Sequence, residues 1–233
     1  MQHAIVTGGA SGLGQAIVAA LIAHEFEVTV WDVAARPKVD VADHTAVMQA
    51  AARYTAPLDV LVNCAAVNYI DWIEDLHPKD FNRVMQVNAC GILNCTQAVM
   101  AKLYGGGTVC NIISNAAHVP MNASLAYNAS KAAAEMMTRQ MAHELGPRHG
   151  ITVFGLSPNK LAGASEMSRY TAQRVAQVRG WSPEQVSKAQ NASLPTGKAT
   201  PTELPAEFLA WLLAQKDRHK YLQGCILTYG GPT

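Results

Sequence analysis

Charge is what this chain has least of. Of its 233 residues only 15% are Asp, Glu, Lys or Arg, while 49% are hydrophobic, and 18 basic residues against 17 acidic ones leave a formal net charge of +1. An ordinary soluble domain carries about 25% charged residues. A disordered chain needs the opposite balance, so disorder is excluded. The near-zero net charge exerts no pull toward nucleic acid or an anionic membrane, and neither is expected as a partner. No apolar run reaches the ~18 uninterrupted residues of a membrane-spanning helix. Also missing are a basic n-region, an apolar h-region and a cleavage site. The first residues, Met1-Gln2-His3-Ala4-Ile5-Val6-Thr7-Gly8, read instead as a strand running into a glycine turn. The five cysteines (Cys64, Cys90, Cys95, Cys110 and Cys225) are odd in number and scattered through apolar segments. They form no CxxC pair and no Cys/His cluster at metal-ligand spacing, so buried free thiols in a reducing cytoplasm, and no metal, are expected.

What the chain does have is a regular alternation of strand-length apolar runs and helical patterns, without internal repeats or a low-complexity linker. His3–Val6, Glu27–Trp31, Leu58–Val62, Gly107–Ile113, Ile151–Leu156 and Cys225–Thr228 read as strands, and Val39 as the remnant of another. Helical spacing marks Gly12–His24, Thr45–Tyr54, Pro78–Tyr104 with a bend near Asn88 or Gly91, and Ser124–Leu145 closed by Gly146-Pro147. A last helix runs from Thr202, a candidate N-cap, to Ala214. Residues 159–200 are irregular, with helical pieces at Glu166–Val178 and Pro183–Ala192. Continuous apolar strands alternating with helices predict an α/β fold: a doubly wound parallel sheet of about seven strands, flanked by helices on both faces. Ligands of such sheets bind at the carboxyl ends of the strands. The polar residues Thr7, Asp32, Asp40, Asn63, Ser114 and Ser157 fall there.

The first strand ends in Thr7-Gly8-Gly9-Ala10-Ser11-Gly12-Leu13-Gly14 and opens a helix. Glycines let the chain turn sharply and bring backbone N–H groups to a pyrophosphate, and the helix N-terminus adds partial positive charge. Asp32 closes the second strand, where a carboxylate can accept both ribose hydroxyls of NAD and repel a 2′-phosphate. Val33 follows it, and the turn holds no Lys or Arg, so NAD is expected over NADP; Arg36 and Lys38 are the nearest bases for the less favoured cofactor. Farther on, Tyr127 and Lys131 stand at i and i+4 and share a helix face. An ammonium beside a phenol lowers its pKa from about 10, which fits the phenol to relay a proton while hydride moves to or from a nicotinamide. Ser114, at a strand end, can hydrogen-bond the substrate oxygen.

Together these residues resemble the single-domain branch of the short-chain dehydrogenase/reductase family, over essentially the whole chain. Thr7-Gly8-x-x-x-Gly12-x-Gly14 is similar to its cofactor turn, Asp40-Val41 to its adenine-contacting pair, and Asn63-Cys64-Ala65-Ala66 to its Asn-Asn-Ala-Gly. Asn88, in Val87-Asn88-Ala89-Cys90-Gly91, falls at its helix-kink asparagine. The resemblance implies one Rossmann-fold domain over residues 1–233, with a substrate lid at about 159–200. It implies a catalytic tetrad of Asn88, Ser114, Tyr127 and Lys131, in which the lysine also holds the nicotinamide ribose and the asparagine supports a proton-relay water. It assigns the cofactor to Gly8, Ser11, Gly12, Leu13, Gly14, Asp32, Val33, Asp40, Val41, Asn63, Ala65, Pro158 and Asn159, together with Tyr127 and Lys131.

Where the family carries Pro-Gly and then a threonine for the nicotinamide carboxamide, this chain reads Pro158-Asn159-Lys160-Leu161-Ala162-Gly163. Asn159 can take glycine's left-handed backbone conformation; Gly163 brings no hydroxyl, and Ser165 is nearby. Cys64 and Ala66 are small and expected beneath the adenosine. The lid carries Lys160, Arg169, Arg174 and Arg179, one or two of which can hold an anionic substrate, the alternative for each being a solvated helix face. Ser114, His118, Met121, Asn122, Tyr127 and Lys160 are expected to border the substrate, and Trp181 to pack. The function expected is an oxidoreductase moving hydride between NAD(H) and a secondary alcohol or ketone, with Tyr127 as acid–base. The alternatives are an NAD-binding regulatory protein without turnover and a sugar-nucleotide epimerase or dehydratase; the chain length and glycine spacing count against the second. The helices Pro78–Tyr104 and Ser124–Leu145 are apolar or small nearly all round, as at Ala98, Ala133, Met136, Met137 and Met141. Helices of that kind are buried on both sides, which predicts a homotetramer or at least a homodimer.

Overall fold

The computed structural model describes residues 1–103, 105–162, 166–192, 194–215 and 219–231. Its strands are β1 (Gln2–Thr7), β2 (Phe26–Trp31), β3 (Val60–Asn63), β4 (Thr108–Ile112), β5 (Thr152–Pro158), β6 (Leu161–Ala162), β7 (Thr200–Pro201) and β8 (Ile226–Tyr229). Six of them form one parallel sheet in the order β2-β1-β3-β4-β5-β8, and β6 and β7 pair with each other. The helices are α1 (Gly12–Ala23), α2 (His44–Arg53), α3 (Pro78–Met85), α4 (Gly91–Leu103), α5 (Leu125–His149), α6 (Glu166–Arg179), α7 (Pro183–Ala192) and α8 (Glu203–Ala214).

The unbroken apolar strands follow from this layering, because successive side chains of a strand point to opposite faces and both faces are covered. Ala4, Val6, Val60, Val62, Cys110 and Phe154 pack on one side with Ile17 and Leu21 of α1 and Leu209 and Leu213 of α8. Ile5, Leu61, Val109 and Val153 pack on the other with Val47 of α2, Val99 of α4 and Ala142 of α5. Complete burial of one such large side chain is worth about 1.5–3 kcal/mol.

The sheet has six strands rather than about seven because the Val39 segment does not join it. Val39 is buried and its N–H donates to the Asp32 carbonyl at 3.0 Å. Pro37 beside it has no N–H to offer a ladder. Ser124–Leu145 was expected to stop at Gly146-Pro147, yet α5 continues through Pro147 to His149. An exposed proline in the last turn forfeits a single backbone bond. The stop is Gly150, at φ 68°, whose N–H bonds the Gly146 carbonyl. Thr202 does not cap α8; its hydroxyl donates to the Ala162 carbonyl across β6 and β7. The long pattern from Pro78 runs as α3, one π turn over Gln86–Cys90, and α4, so the bend near Asn88 is a π-bulge; Tyr104 lies outside the described residues. All five cysteines are free, but only Cys95 and Cys110 are buried; Cys64 and Cys90 are half-buried, and Cys225, next to the edge strand β8, is exposed. Among the described residues no helix is long and apolar enough to cross a membrane, and no three His, Cys, Asp or Glu side chains converge as a metal site.

Candidate functional site

The glycine turn is locked to its neighbours. The Thr7 hydroxyl accepts from the Cys64 and Ala65 N–H groups at 3.0 and 3.1 Å, tying the end of β1 to the end of β3. Gly8 has φ 68° and Gly12 φ 55°, a region costly for other residues. A Cβ at Gly8 would lie 2.7 Å from the Ala65 Cα, and one at Gly14 would run into the Gly8 carbonyl. Ser11 precedes α1 in extended conformation and gives no side-chain cap, and the first turn carries no acid. The N–H groups of Gly12, Leu13 and Gly14 therefore remain available at a partially positive helix end. A backbone surface that leaves no room for a Cβ and presents uncapped donors fits the pyrophosphate of a dinucleotide.

Asp32 lies buried beside this turn. Its Oδ2 accepts from the Ala10 N–H at 3.0 Å and its Oδ1 from the Ala34 N–H at 2.8 Å. A carboxylate has about four acceptor sites, so both oxygens keep capacity for a ligand's hydroxyls. Val33 is exposed next to it, as are Arg36 and Lys38. Asp40 Oδ2 accepts from Arg83 Nη2 at 2.9 Å, and the Val41 carbonyl accepts from Asn94 Nδ2 at 2.9 Å. This pair is thus held against α3 and α4. Asn63 is turned inward: its Nδ2 donates to Asn111 Oδ1 at 2.9 Å and to Thr96 Oγ1 at 3.4 Å. Pro158 ends β5. Asn159 does not take the left-handed conformation open to it. Its N–H donates to the Tyr229 carbonyl at 2.8 Å, and its Oδ1 accepts from Asn115 Nδ2 and the Lys160 N–H at 2.9 and 2.8 Å, which fix it as a continuation of β5. Gly163 and Ser165 lie outside the described residues.

Three of the four expected catalytic residues, Ser114, Tyr127 and Lys131, come together where β4 meets α5, and Asn88 reaches them only through Ser130. Ser114 Oγ accepts from the Ala116 N–H at 3.2 Å, donates to Asn115 Oδ1 at 3.2 Å, and hydrogen-bonds the Tyr127 phenol. Lys131 Nζ donates to the Ile112 carbonyl at 2.8 Å and stands 5.7 Å from the centroid of the Tyr127 ring. Asn88, in the π turn, spends its side chain on protein partners: Oδ1 accepts from the Val67 N–H at 2.8 Å, and Nδ2 donates to the Val67 carbonyl and Ser130 Oγ at 2.9 and 3.0 Å. The side-chain amide thus ties the π turn to Val67 and to Ser130 of α5. Ser130 Oγ in turn donates to the Tyr127 carbonyl at 2.8 Å.

The electrostatics differ from the expectation that Lys131 lowers the phenol. Burial dominates, with the nearby Cys64 thiol adding to it, and together they outweigh the Ser114 hydrogen bond to push Tyr127 up to about 12. Burial also brings Lys131 down to about 8 and drives the Cys64 thiol up to about 12. Desolvation disfavours every charged form here, so an additional positive charge beside the phenol is what would lower it.

Several supports were not visible in the sequence. Asn111, fully buried within β4, accepts from Asn63 and donates to Thr138 Oγ1 of α5 at 2.9 Å, and Thr138 donates on to the Ala134 carbonyl at 2.7 Å. The one signal was a polar residue inside the apolar run Val109–Ile113. Asn128 Nδ2 donates to the carbonyls of Ala116 and Val119, both at 2.7 Å, which shapes the loop carrying His118 and Met121.

On the substrate side, His118 Nε2 lies 2.7 Å from Glu135 Oε2, and Glu135 also pairs with Arg139 at 3.0 Å. Met121 is exposed. Arg174 is already engaged, with Nη2 2.8 Å from Asp71 Oδ2 and Nε donating to the Ile70 carbonyl at 3.1 Å. Arg179 lies 4.5 Å from the centroid of the Trp181 ring, so that tryptophan packs as expected. Lys160 Nζ reaches Asn191 Oδ1 at 3.4 Å.

The family model described as short chain dehydrogenase matches residues 33–174, more than half of the chain. Sorbitol-6-phosphate 2-dehydrogenase of Klebsiella pneumoniae is 27% identical, with 97% of this chain and 94% of that protein covered. Cis-1,2-dihydrobenzene-1,2-diol dehydrogenase of Pseudomonas putida is 29% identical, with 98% and 90% covered. The solved structure of a Serratia marcescens short-chain dehydrogenase/reductase mutant superposes with a TM-score of 0.84 at 27% identity, over 99% of this chain and 97% of that one. The glycine turn, the sheet order and these matches agree, and the chain is an oxidoreductase belonging to the short chain dehydrogenase family.

Proposed function

We propose that this oxidoreductase moves a hydride between NAD(H) and a secondary alcohol or ketone, within a single domain whose lid spans about residues 159–200. The observation that carries the reading is the convergence of Ser114, Tyr127 and Lys131 at the carboxyl end of β4, beside a glycine turn shaped for a pyrophosphate. Bound there, the nicotinamide ring supplies the hydride acceptor or donor. Gly8, Ser11, Gly12, Leu13 and Gly14 would hold the pyrophosphate, Asp32 and Val33 the adenosine ribose, and Asp40, Val41, Asn63 and Ala65 the adenine end. Pro158, Asn159 and Lys131 would hold the nicotinamide end. Tyr127 Oη takes the proton from the carbinol oxygen in oxidation and returns it in reduction. Ser114 Oγ donates to that oxygen. Asn88 keeps α5 in place through Ser130. His118 and Met121 border the substrate.

The buried Asp32 carboxylate favours NAD over NADP, since a 2′-phosphate would meet a fixed negative charge. Tyr127→Phe should retain NADH binding by cofactor fluorescence while losing ketone reduction by roughly a thousandfold or more. Full activity in this variant would overturn the mechanism, and tighter binding of NADPH than NADH would overturn the role of Asp32. Five free cysteines, one of them exposed, suit the reducing cytoplasm.

We also infer that the chain assembles into a homotetramer, or at least a homodimer, through α4 and α5. Leu93, Leu125 and Met136 are 40%, 43% and 64% exposed there, and Ile92 and Ala134 join the two helices beneath them. An apolar face of this kind is suited to a second copy of itself. Light scattering at micromolar concentration should give a dimer or tetramer; a monomer would refute the assembly.

A further inference from the structure

Lys160 is the first residue beyond Asn159, and its backbone is fixed from both sides. Its N–H donates to Asn159 Oδ1 at 2.8 Å, and its carbonyl accepts from the Thr200 N–H at 2.9 Å. Asn159 Oδ1 in turn accepts from Asn115, the neighbour of Ser114. A short run of hydrogen bonds thus links the Lys160 backbone to the serine that faces the reacting oxygen. Lys160 lines an open pocket of about 290 Å³ bordered by β6, the residue before β7, α6 and α7. Val186 and Pro183 give that pocket an apolar floor, and Ser187, Gln190 and Asn191 give it polar walls.

The ammonium at this position is poorly satisfied. It carries three donors, and among the described residues its side-chain partner is Asn191 Oδ1, at the long distance of 3.4 Å. Arg174 is paired with Asp71 and Arg179 is stacked on Trp181, whereas Lys160 forms no ion pair among the described residues. Partial burial lowers its pKa, the mark of a cation that has lost water without gaining a counter-charge. An anion entering the pocket would supply that counter-charge, with side-chain amides and a hydroxyl to complete its hydrogen bonds.

We propose that Lys160 and the pocket between β6, α6 and α7 form a subsite for a carboxylate or phosphate group of the substrate, which makes anionic alcohols and ketones the preferred substrates. The proposal rests on the assignment of Ser114, Tyr127 and Lys131 as the reacting end of the site. The anionic group occupies this pocket while the carbonyl or carbinol reaches Ser114 and Tyr127. This makes Lys160 a specificity determinant that takes no part in proton transfer.

The test compares ketones of matched length ending in a carboxylate, a phosphate or a neutral amide, with the full chain and NADH, in the wild type, Lys160→Met and Lys160→Arg. The wild type should favour at least one anionic ketone over the amide by roughly tenfold or more. Lys160→Met should lose roughly 10- to 100-fold in kcat/KM on that ketone, mostly through KM, and stay within about threefold on the amide. Lys160→Arg should recover most of the loss. Which anionic ketone responds distinguishes a carboxylate from a phosphate. No anionic preference, or equal losses on charged and neutral ketones, overturns the subsite. If the wild type reduces none of the ketones, the catalytic assignment is what fails, and the subsite is decided by thermal unfolding in millimolar inorganic phosphate or succinate. A rise in Tm that Lys160→Met abolishes supports it, and no rise, or an equal rise in the variant, overturns it.

Discussion

Helix α5, which carries Tyr127 and Lys131, and helix α6, in the proposed lid, approach the same end of the sheet but are attached to it by different means. Helix α5 is anchored by buried hydrogen bonds: Lys131 to the Ile112 carbonyl, Ser130 to Asn88, Thr138 to Asn111. Helix α6 is joined to the loop after β3 at its rim: Arg174 to Asp71 and the Ile70 carbonyl, Tyr170 Oη accepting from the Ile70 N–H at 3.4 Å, and Trp72 Nε1 donating to the Val178 carbonyl at 3.2 Å. A Tyr69–Tyr170 edge contact with centroids 6.2 Å apart completes this seam. Hydrogen bonds in the interior are expensive to break because the orphaned partner cannot reach water. At the rim the Arg174–Asp71 pair, 36% and 26% exposed, lies nearer water and costs less to exchange. The contrast separates a helix held by interior bonds from one held at its rim, which is the difference the proposed lid requires.

The largest expected effect lies on the catalytic side. Asn88→Ala removes three hydrogen bonds, a buried one to Ser130 and two partly buried ones that leave the Val67 N–H and carbonyl without their partner. A loss of about 3 kcal/mol is expected, or a fall in Tm of roughly 6–12 °C for a chain of this size. Reductase activity should fall with it, because Ser130, which bonds the Tyr127 carbonyl, loses its partner. A Tm within about 1 °C of wild type would show that the π turn holds its shape without Asn88, and the contrast would lose its main support.

Thr138→Val should have an intermediate effect. It leaves Asn111 Nδ2 without its acceptor at the end of the Asn63–Asn111–Thr138 chain, at constant side-chain volume. The expected cost is about 1–2 kcal/mol, read as a lower midpoint of urea unfolding with an unchanged slope. No measurable cost would mean that this polar chain specifies the register of α5 without adding to stability.

The parts of this arrangement visible in the sequence are the local ones. The glycine turn, the i, i+4 placement of Tyr127 and Lys131, the bend at Asn88 and the apolar strands each lie within a few consecutive residues, where periodicity and turn chemistry act directly. What escaped depends on residues far apart in the chain. Asn111 becomes intelligible once Asn63 and Thr138 are beside it, at separations of 48 and 27 residues. Asn159 stays extended because Tyr229 and Asn115 hold it. The Tyr127 phenol is governed by burial, a property of the folded surroundings that a list of neighbours in sequence does not contain. Pro147 and Val39 misled for the opposite reason: local signals for a stop and for a strand were overridden by helix continuation on one side and a missing ladder partner on the other.

The smallest expected effect on stability, and the sharpest on substrate handling, belongs to the lid. Arg174→Ala deletes the ion pair with Asp71 and the bond to the Ile70 carbonyl, and both side chains of the pair are partly exposed, at 36% and 26%. A pair at that depth is worth about 0–1 kcal/mol, so Tm should fall by no more than roughly 4 °C. The seam it leaves still holds Trp72 to Val178 and Tyr170 to Ile70, enough to keep α6 folded but not to keep it closed. The KM for a ketone substrate should rise by roughly three- to tenfold with kcat little changed, the pattern of lost uniform binding rather than lost transition-state stabilisation. Asp71→Asn should act in the same direction and more weakly, since its amide can still accept from the guanidinium. If Arg174→Ala instead lowers Tm as far as Asn88→Ala does, the lid is as firmly built in as the catalytic helix, and its rim contacts are structural supports rather than a closing seam.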